Sequence, residues 1–152
     1  MDETRGMVMR YLLDTNACIA FMRGNTAIKQ HFWQQKDGNS ICLCAVVQAE
    51  LWHGVYAAAQ STERRGAQVQ NFFKIFEVLP FDEQAAHEYG KIKTFVEPLE
   101  KEWQREGRKF KSIGDNDLLI AAIARSRDLV LVSRDSDFDR IPNLRRENWE
   151  ED

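Results

Sequence analysis

Tyr11-Leu12-Leu13-Asp14-Thr15-Asn16 is a short apolar run closed by an acidic residue and two small polar ones. Three consecutive apolar side chains without alternation suit a strand covered on both faces, the usual state of a parallel sheet. Asp14 or Thr15 then stands where a helix begins, and the spacing predicts a helix through Ala17–Arg23. The same pattern returns late in the chain. Leu129–Ser133 reads as a strand, and Asp135 follows it. Between them, Ile41–Cys44 reads as a strand leading into a helix over Ala45–Ala59, and Phe76–Leu79 as a strand stopped by Pro80. Helices are predicted over 27–36, up to Ile75, and over 83–104 with Asp82 as cap and an interruption near Pro98. Asp115 is expected to cap a helix running to Arg127, and Leu144–Trp149 to add a short edge strand. Strands alternating with helices predict an α/β/α sandwich around a mainly parallel sheet.

In such sheets ligands sit beyond the carboxyl ends of the strands. Asp14 and Asp135 follow strands, Asp117 opens a helix, and Glu50 lies within two turns of a helix start, so all four can reach one edge. Each is embedded in or abuts hydrophobic sequence, where an isolated carboxylate is costly to desolvate. Singly, Asp14, Asp115, Asp117 and Asp135 are also what helix N-termini and turns favour. Glu50 is harder to explain structurally. Its neighbours at helical spacing are Val46, Val47, His53 and Gly54, with no strongly basic partner. Carboxylates gathered at one point repel one another unless protonated or neutralised, and an all-oxygen set suits magnesium or manganese. The expected chemistry is metal-assisted phosphodiester hydrolysis, with a water acidified by the ion as nucleophile and no catalytic His or Ser.

Length and composition agree with one domain. The 152 residues are 43% hydrophobic and 30% charged, ordinary values for a globular protein. No apolar run approaches the roughly 20 residues of a membrane span, and the first residues lack an apolar signal region. Residues 1–8 read as a tail, 9–149 as the domain and 150–152 as a second tail. Cys18, Cys42 and Cys44 are odd in number and sit in apolar segments, which predicts reduced, buried thiols in a cytoplasm and no zinc site. The net charge of −3 counts mildly against non-specific nucleic-acid binding. Locally, however, 101–111 carries five basic and two acidic residues beside Trp103 and Phe110. Arg105, Arg108, Lys109 and Lys111 are therefore candidates for contact with RNA, against the ordinary alternative of a solvated helix end. His31, His53 and His87 stand at unrelated places and read as surface or helix residues.

Leu12–Asn16, then Ala49-Glu50-Leu51 with Gly54, then Asn116–Ala122, then Leu131–Asp135 with Asp137-Phe138, resemble in order and spacing the VapC-type PIN-domain toxins. Ile141–Leu144 and Asn148-Trp149 match that family's usual ending. The resemblance covers roughly residues 9–149 and implies a magnesium- or manganese-dependent endoribonuclease, the toxin half of a toxin–antitoxin pair. By position it implies Asp14, Glu50, Asp117 and Asp135 as the acidic metal-binding and catalytic set. Thr15, Asn16 and Ser133 match supporting polar positions, with Asp115 and Asp137 as further carboxylates nearby. It also implies an RNA substrate, a small DNA-binding antitoxin and a homodimer. Two departures stand out. Cys44 occupies a position that is usually Ser or Thr, and the stretch from Tyr89 to Gly114 is longer than typical. Two other readings remain. One is a PIN-like module that binds RNA or protein without cutting. The other, more remote, is magnesium-dependent phosphotransfer through an aspartyl phosphate, for which the pattern after the first strand lacks a second Asp.

Overall fold

A computed structural model describes residues 9–37, 39–59, 62–107 and 112–151. The proposed tail 1–8 lies outside the described residues, as do Arg108, Lys109 and Lys111. Five strands, β1 (Arg10–Leu13), β2 (Ser40–Cys44), β3 (Glu77–Leu79), β4 (Val130–Val132) and β5 (Arg145–Glu147), form one sheet in the order β3-β2-β1-β4-β5. Every pairing is parallel, with Tyr11 opposite Ile41 on one side and Val130 on the other. Among the described residues six helices flank it: α1 (Thr15–Met22), α2 (Thr26–Gln35), α3 (Ala45–Ala57), α4 (Thr62–Phe73), α5 (Glu83–Arg105) and α6 (Asp115–Ser126). The architecture is the α/β/α sandwich expected from the alternation of elements.

The centre of the sheet is apolar on both faces. Leu12, Leu13, Leu43, Leu131 and Val132 are buried, and Ile28, Ile92, Ile120 and Ile123 pack from the helices. All three cysteines are free and buried. Cys44 stands at the N-cap of α3 without a side-chain cap bond, and burial pushes its thiol up to about 11. It acts as packing there. α5 and α6 lie against each other head to tail, tied by Arg125–Glu88 (2.6 Å) at one end and Lys93–Asp115 (2.9 Å) at the other.

Two local expectations change. α5 runs unbroken through Pro98. The carbonyl deprived of its donor there belongs to Thr94, which is exposed and can be solvated, so the helix continues. The N-cap of α6 is Gly114, not Asp115. The Asp115 carboxylate turns outward to Lys93 on α5, a tertiary contact that outcompetes local capping.

The order of strands also places the site. β2 and β3 extend the sheet to one side of β1, and β4 and β5 to the other, so the chain changes direction at the β1–β4 junction. A crevice opens outside the carboxyl ends at such a switch point. Asp14 leaves β1 there, its N–H donating to Val132 of β4 (3.1 Å).

Candidate active site

Asp14 is 4% exposed. Its extended backbone lets the carboxylate turn back over α1 as N-cap, where Oδ1 accepts from the Ala17 N–H (2.8 Å). This satisfies one orphan donor of the helix. Ser133, also buried, follows β4. Its Oγ accepts from the Asp135 N–H (3.0 Å), which leaves the hydroxyl proton for Asp14. One serine thus ties the carboxyl exits of the two central strands. Asp135 caps the 3-10 turn Ser136–Arg140 by accepting from the Asp137 N–H (2.9 Å).

Glu50 projects from the second turn of α3, half-buried, and accepts from the Thr15 hydroxyl at 2.6 Å. That bond couples α3 to the start of α1. Asp117 sits in the first turn of α6, half-buried. Together with Asp135, Asp137, Ser112, Ile113 and Phe138 it lines a cleft of about 130 Å³. The wall contributed by Ile113 is held by its N–H donating to Glu100 on α5 (2.8 Å).

Electrostatics show which carboxylates sense one another. The Asp14 carboxyl is pushed up to about 6 by burial; Ser133 and the Ala17 N–H oppose the rise, and the negative charges of Asp117 and Glu150 add to it. The Asp117 carboxyl is also raised to about 6, by burial first and then by Glu50, Asp135 and Asp137. Among the described residues, no basic residue is among the groups acting on either. Asp14, Glu50, Asp117, Asp135 and Asp137 therefore share one field, in which Asp137 is paired with Arg140. Among the described residues no three acidic, His or Cys side chains close into a ready-made metal cage. The donor set nevertheless fits a hard divalent ion. Magnesium in particular binds through one or two carboxylates and keeps several waters, so a loose array of oxygens is what it accepts.

The remaining candidates divide. Thr15 and Ser133 hold carboxylates, and Asn16 is exposed at the edge of the site. Asp137 lines the cleft and pairs with Arg140 (3.4 Å). Asp115 faces away, exposed and paired with Lys93. Arg105 is exposed as the last residue of α5, while Arg108, Lys109 and Lys111 lie outside the described residues. One residue was not anticipated. Glu150, read from sequence as the start of a tail, has an 88% buried side chain and raises the Asp14 pKa by its charge. Its signal was available, because β5 is parallel and its carboxyl end must emerge at the same edge as Asp14 and Asp135.

The chain matches the PIN domain family over residues 11–144. It is 32% identical over 143 residues to the tRNA(fMet)-specific endonuclease VapC of Shigella flexneri, covering 93% of this chain and 99% of that one. It is 33% identical over 144 residues to ribonuclease VapC2 of Haemophilus influenzae, with the same coverage. Among solved structures it resembles VapBC2 from Rickettsia felis, bound to a promoter DNA fragment, with a TM-score of 0.77 and 30% identity over 93% of this chain and 99% of that chain. VapBC from Salmonella typhimurium superposes with a TM-score of 0.74 at 31% identity over 93% of this chain and 99% of its own. With its four carboxylates at the switch point of a parallel sheet, the chain belongs to the PIN-domain family and, within it, to the VapC ribonucleases.

Proposed function

We propose that this chain is a magnesium- or manganese-dependent endoribonuclease, the toxin of a toxin–antitoxin pair. The observation that carries the reading is the shared field at the β1–β4 junction, where Asp14 and Asp117 both stand near pKa 6 and the charged groups among the described residues that act on them are all acidic. Asp14, Glu50, Asp117 and Asp135 would hold the ion, with Asp137 beside them. Bound there, a divalent cation supplies a water of lowered pKa and offsets the charge of the phosphate.

The protein's own part is preorganisation. Thr15 fixes the Glu50 carboxylate, Ser133 and the Ala17 N–H fix Asp14, and the 3-10 turn fixes Asp135. Carboxylates held this way lose little freedom when the site fills, and burial excludes competing water from Asp14. A silent binding module has no need of this arrangement.

The partners follow from the relatives. RNA is the substrate, and tRNA(fMet) in the name of the Shigella relative makes it the first to try. The VapBC titles support a cognate antitoxin, which would cover the acidic edge with a basic side chain, the Arg fork being best matched to paired carboxylates. A homodimer acting in the cytoplasm completes the proposal. The chain should cut tRNA(fMet) or a looped RNA with magnesium or manganese and stop when EDTA is added. Cleavage that persists in excess EDTA would refute the metal mechanism.

A further inference from the structure

Two grooves flank α1, and they differ in chemistry. One, of about 430 Å³, runs along Ile19, Leu51, Val55 and Val69, is more apolar than polar, and also takes in Glu50, Arg65 and Arg23, which borders both grooves. The other, of about 660 Å³, is polar and is lined by Asn16, Arg23, Asn25, Thr26, Arg134 and Glu150. This second groove runs beside the carboxylate site. Asn16 lies two residues past Asp14, Arg134 sits between Ser133 and Asp135, and Glu150 is close enough for its charge to act on Asp14.

The groove's two cations are available. Arg23 is exposed and has no carboxylate partner among the described residues. Its position is set by the end of α1, where Gly24 adopts a left-handed φ of +87°. That turn sends the Asn25 N–H back to Ala20 (3.0 Å) and starts α2 at once. The corner leaves Arg23, Asn25 and Thr26 on one lip. Arg134 is on the other side, its side chain 61% exposed. Its contact with Glu150 is long, at 3.8 Å, so the guanidinium is steered but not consumed. A Glu150 oxygen is buried without a hydrogen-bond partner, which places the acid on the floor and the guanidinium above it.

Guanidinium groups on two walls of an open polar groove, beside small amide and hydroxyl side chains, suit a phosphodiester strand. They suit it better than an apolar helix face, for which the other groove is shaped. Resting on the ribonuclease reading above, we infer that this groove carries the RNA strand on one side of the scissile phosphate, with Arg23 and Arg134 each holding a phosphate. These are positioning residues for the substrate backbone and carry no base specificity.

The test uses Arg23→Ala with Arg134→Ala, beside Arg23→Lys with Arg134→Lys, in the full chain. Binding of a fluorescein-labelled oligouridylate is followed by anisotropy over a range of salt, with Asp14→Asn added to every protein to prevent cutting. Loss of two phosphate contacts should lower the slope of log affinity against log salt by about 1.4, at about 0.7 per contact on a single strand. The lysine pair should restore the slope, since the charge is kept. In the cutting-competent chain, the alanine pair should raise KM for RNA more than it lowers kcat. Should the alanine pair melt lower than its parent, the two single variants must each show about half of the slope change. A chain that cuts RNA but whose slope is unchanged by the alanine pair overturns the inference and leaves the ribonuclease reading standing. An unchanged slope with weakened antitoxin inhibition would assign the groove to protein and equally overturn it. A wild-type chain that cuts no RNA would instead refute the ribonuclease reading.

Discussion

Asp14→Asn replaces one carboxylate oxygen by an amide nitrogen at the most buried acidic residue of the site. The remaining oxygen can still accept from the Ala17 N–H, since Asn and Asp cap helices about equally well. What disappears is the charge. A carboxyl near pKa 6 in place of 3.8 holds its ionised form about 3 kcal/mol above its level in the unfolded chain, at about 1.36 kcal/mol per tenfold. That figure is already net of the favourable Ser133 and Ala17 hydrogen bonds to the charged form. The metal-free variant should therefore be about 3 kcal/mol more stable than wild type at neutral pH. In a protein of this length that corresponds to a melting temperature higher by about 6–12 °C. The sign depends on pH. Because the folded pKa lies above the unfolded one, wild type has this stability in full below pH about 4, loses it up to pH about 6, and is level beyond. Asn does not titrate, so the gap between the proteins should be near zero at pH 4 and complete by pH 7. Circular-dichroism melts in EDTA at several pH values measure it. Magnesium should then raise wild type more than the variant, because binding to the folded state supplies the gain. Asp117→Asn should behave alike but more weakly, its carboxyl being partly solvated. A variant no more stable than wild type at pH 8, or a gap independent of pH, would refute the reasoning.

Three further outcomes are expected. Thr15→Val removes the donor to Glu50 and should weaken magnesium binding, read by calorimetry, by about tenfold or more, as loss of a ligand's supporting bond typically does. Trp149→Ala should cost about 3–5 kcal/mol in chemical denaturation. The indole is 1% exposed and packs between Tyr11 (4.9 Å) and His31 (5.6 Å, stacked). Pro98→Ala should raise the denaturation midpoint by about 1–2 kcal/mol in stability, restoring a helical hydrogen bond while giving up some stiffness of the unfolded chain; a lower midpoint would show that the ring packs usefully.

Much of the arrangement was legible from local pattern. Leu12-Leu13 and Leu129–Val132 are apolar runs too short for anything but buried strands, and Asp14 and Asp135 follow them directly, so their common edge is a consequence of parallel topology. Glu50 was visible as an acid on an apolar helix face. What was not legible depends on contacts distant in sequence. The pairing of Asp115 with Lys93 decides where that carboxylate points, and nothing near Asp115 announces it. Glu150 reaches Asp14 only because β5 lies beside β4 and β4 beside β1. Thr15 was placed near the site, but its bond to Glu50 needs the relative position of α1 and α3, which periodicity does not specify. Trp149 and His31 were read separately, and their stacking joins the end of the sheet to α2.

The position of β5 makes the order of the site depend on the outermost strand of the sheet. The Ser133 N–H donates to the Glu147 carbonyl (2.9 Å), and Trp149 closes over Tyr11 of β1. Without that strand, the serine that orients Asp14 is held from the β1 side alone. A chain cut short before residue 145 would keep Asp14, Glu50, Asp117 and Asp135 and lose the support that sets them in place, so such a truncation separates having the carboxylates from having them ordered.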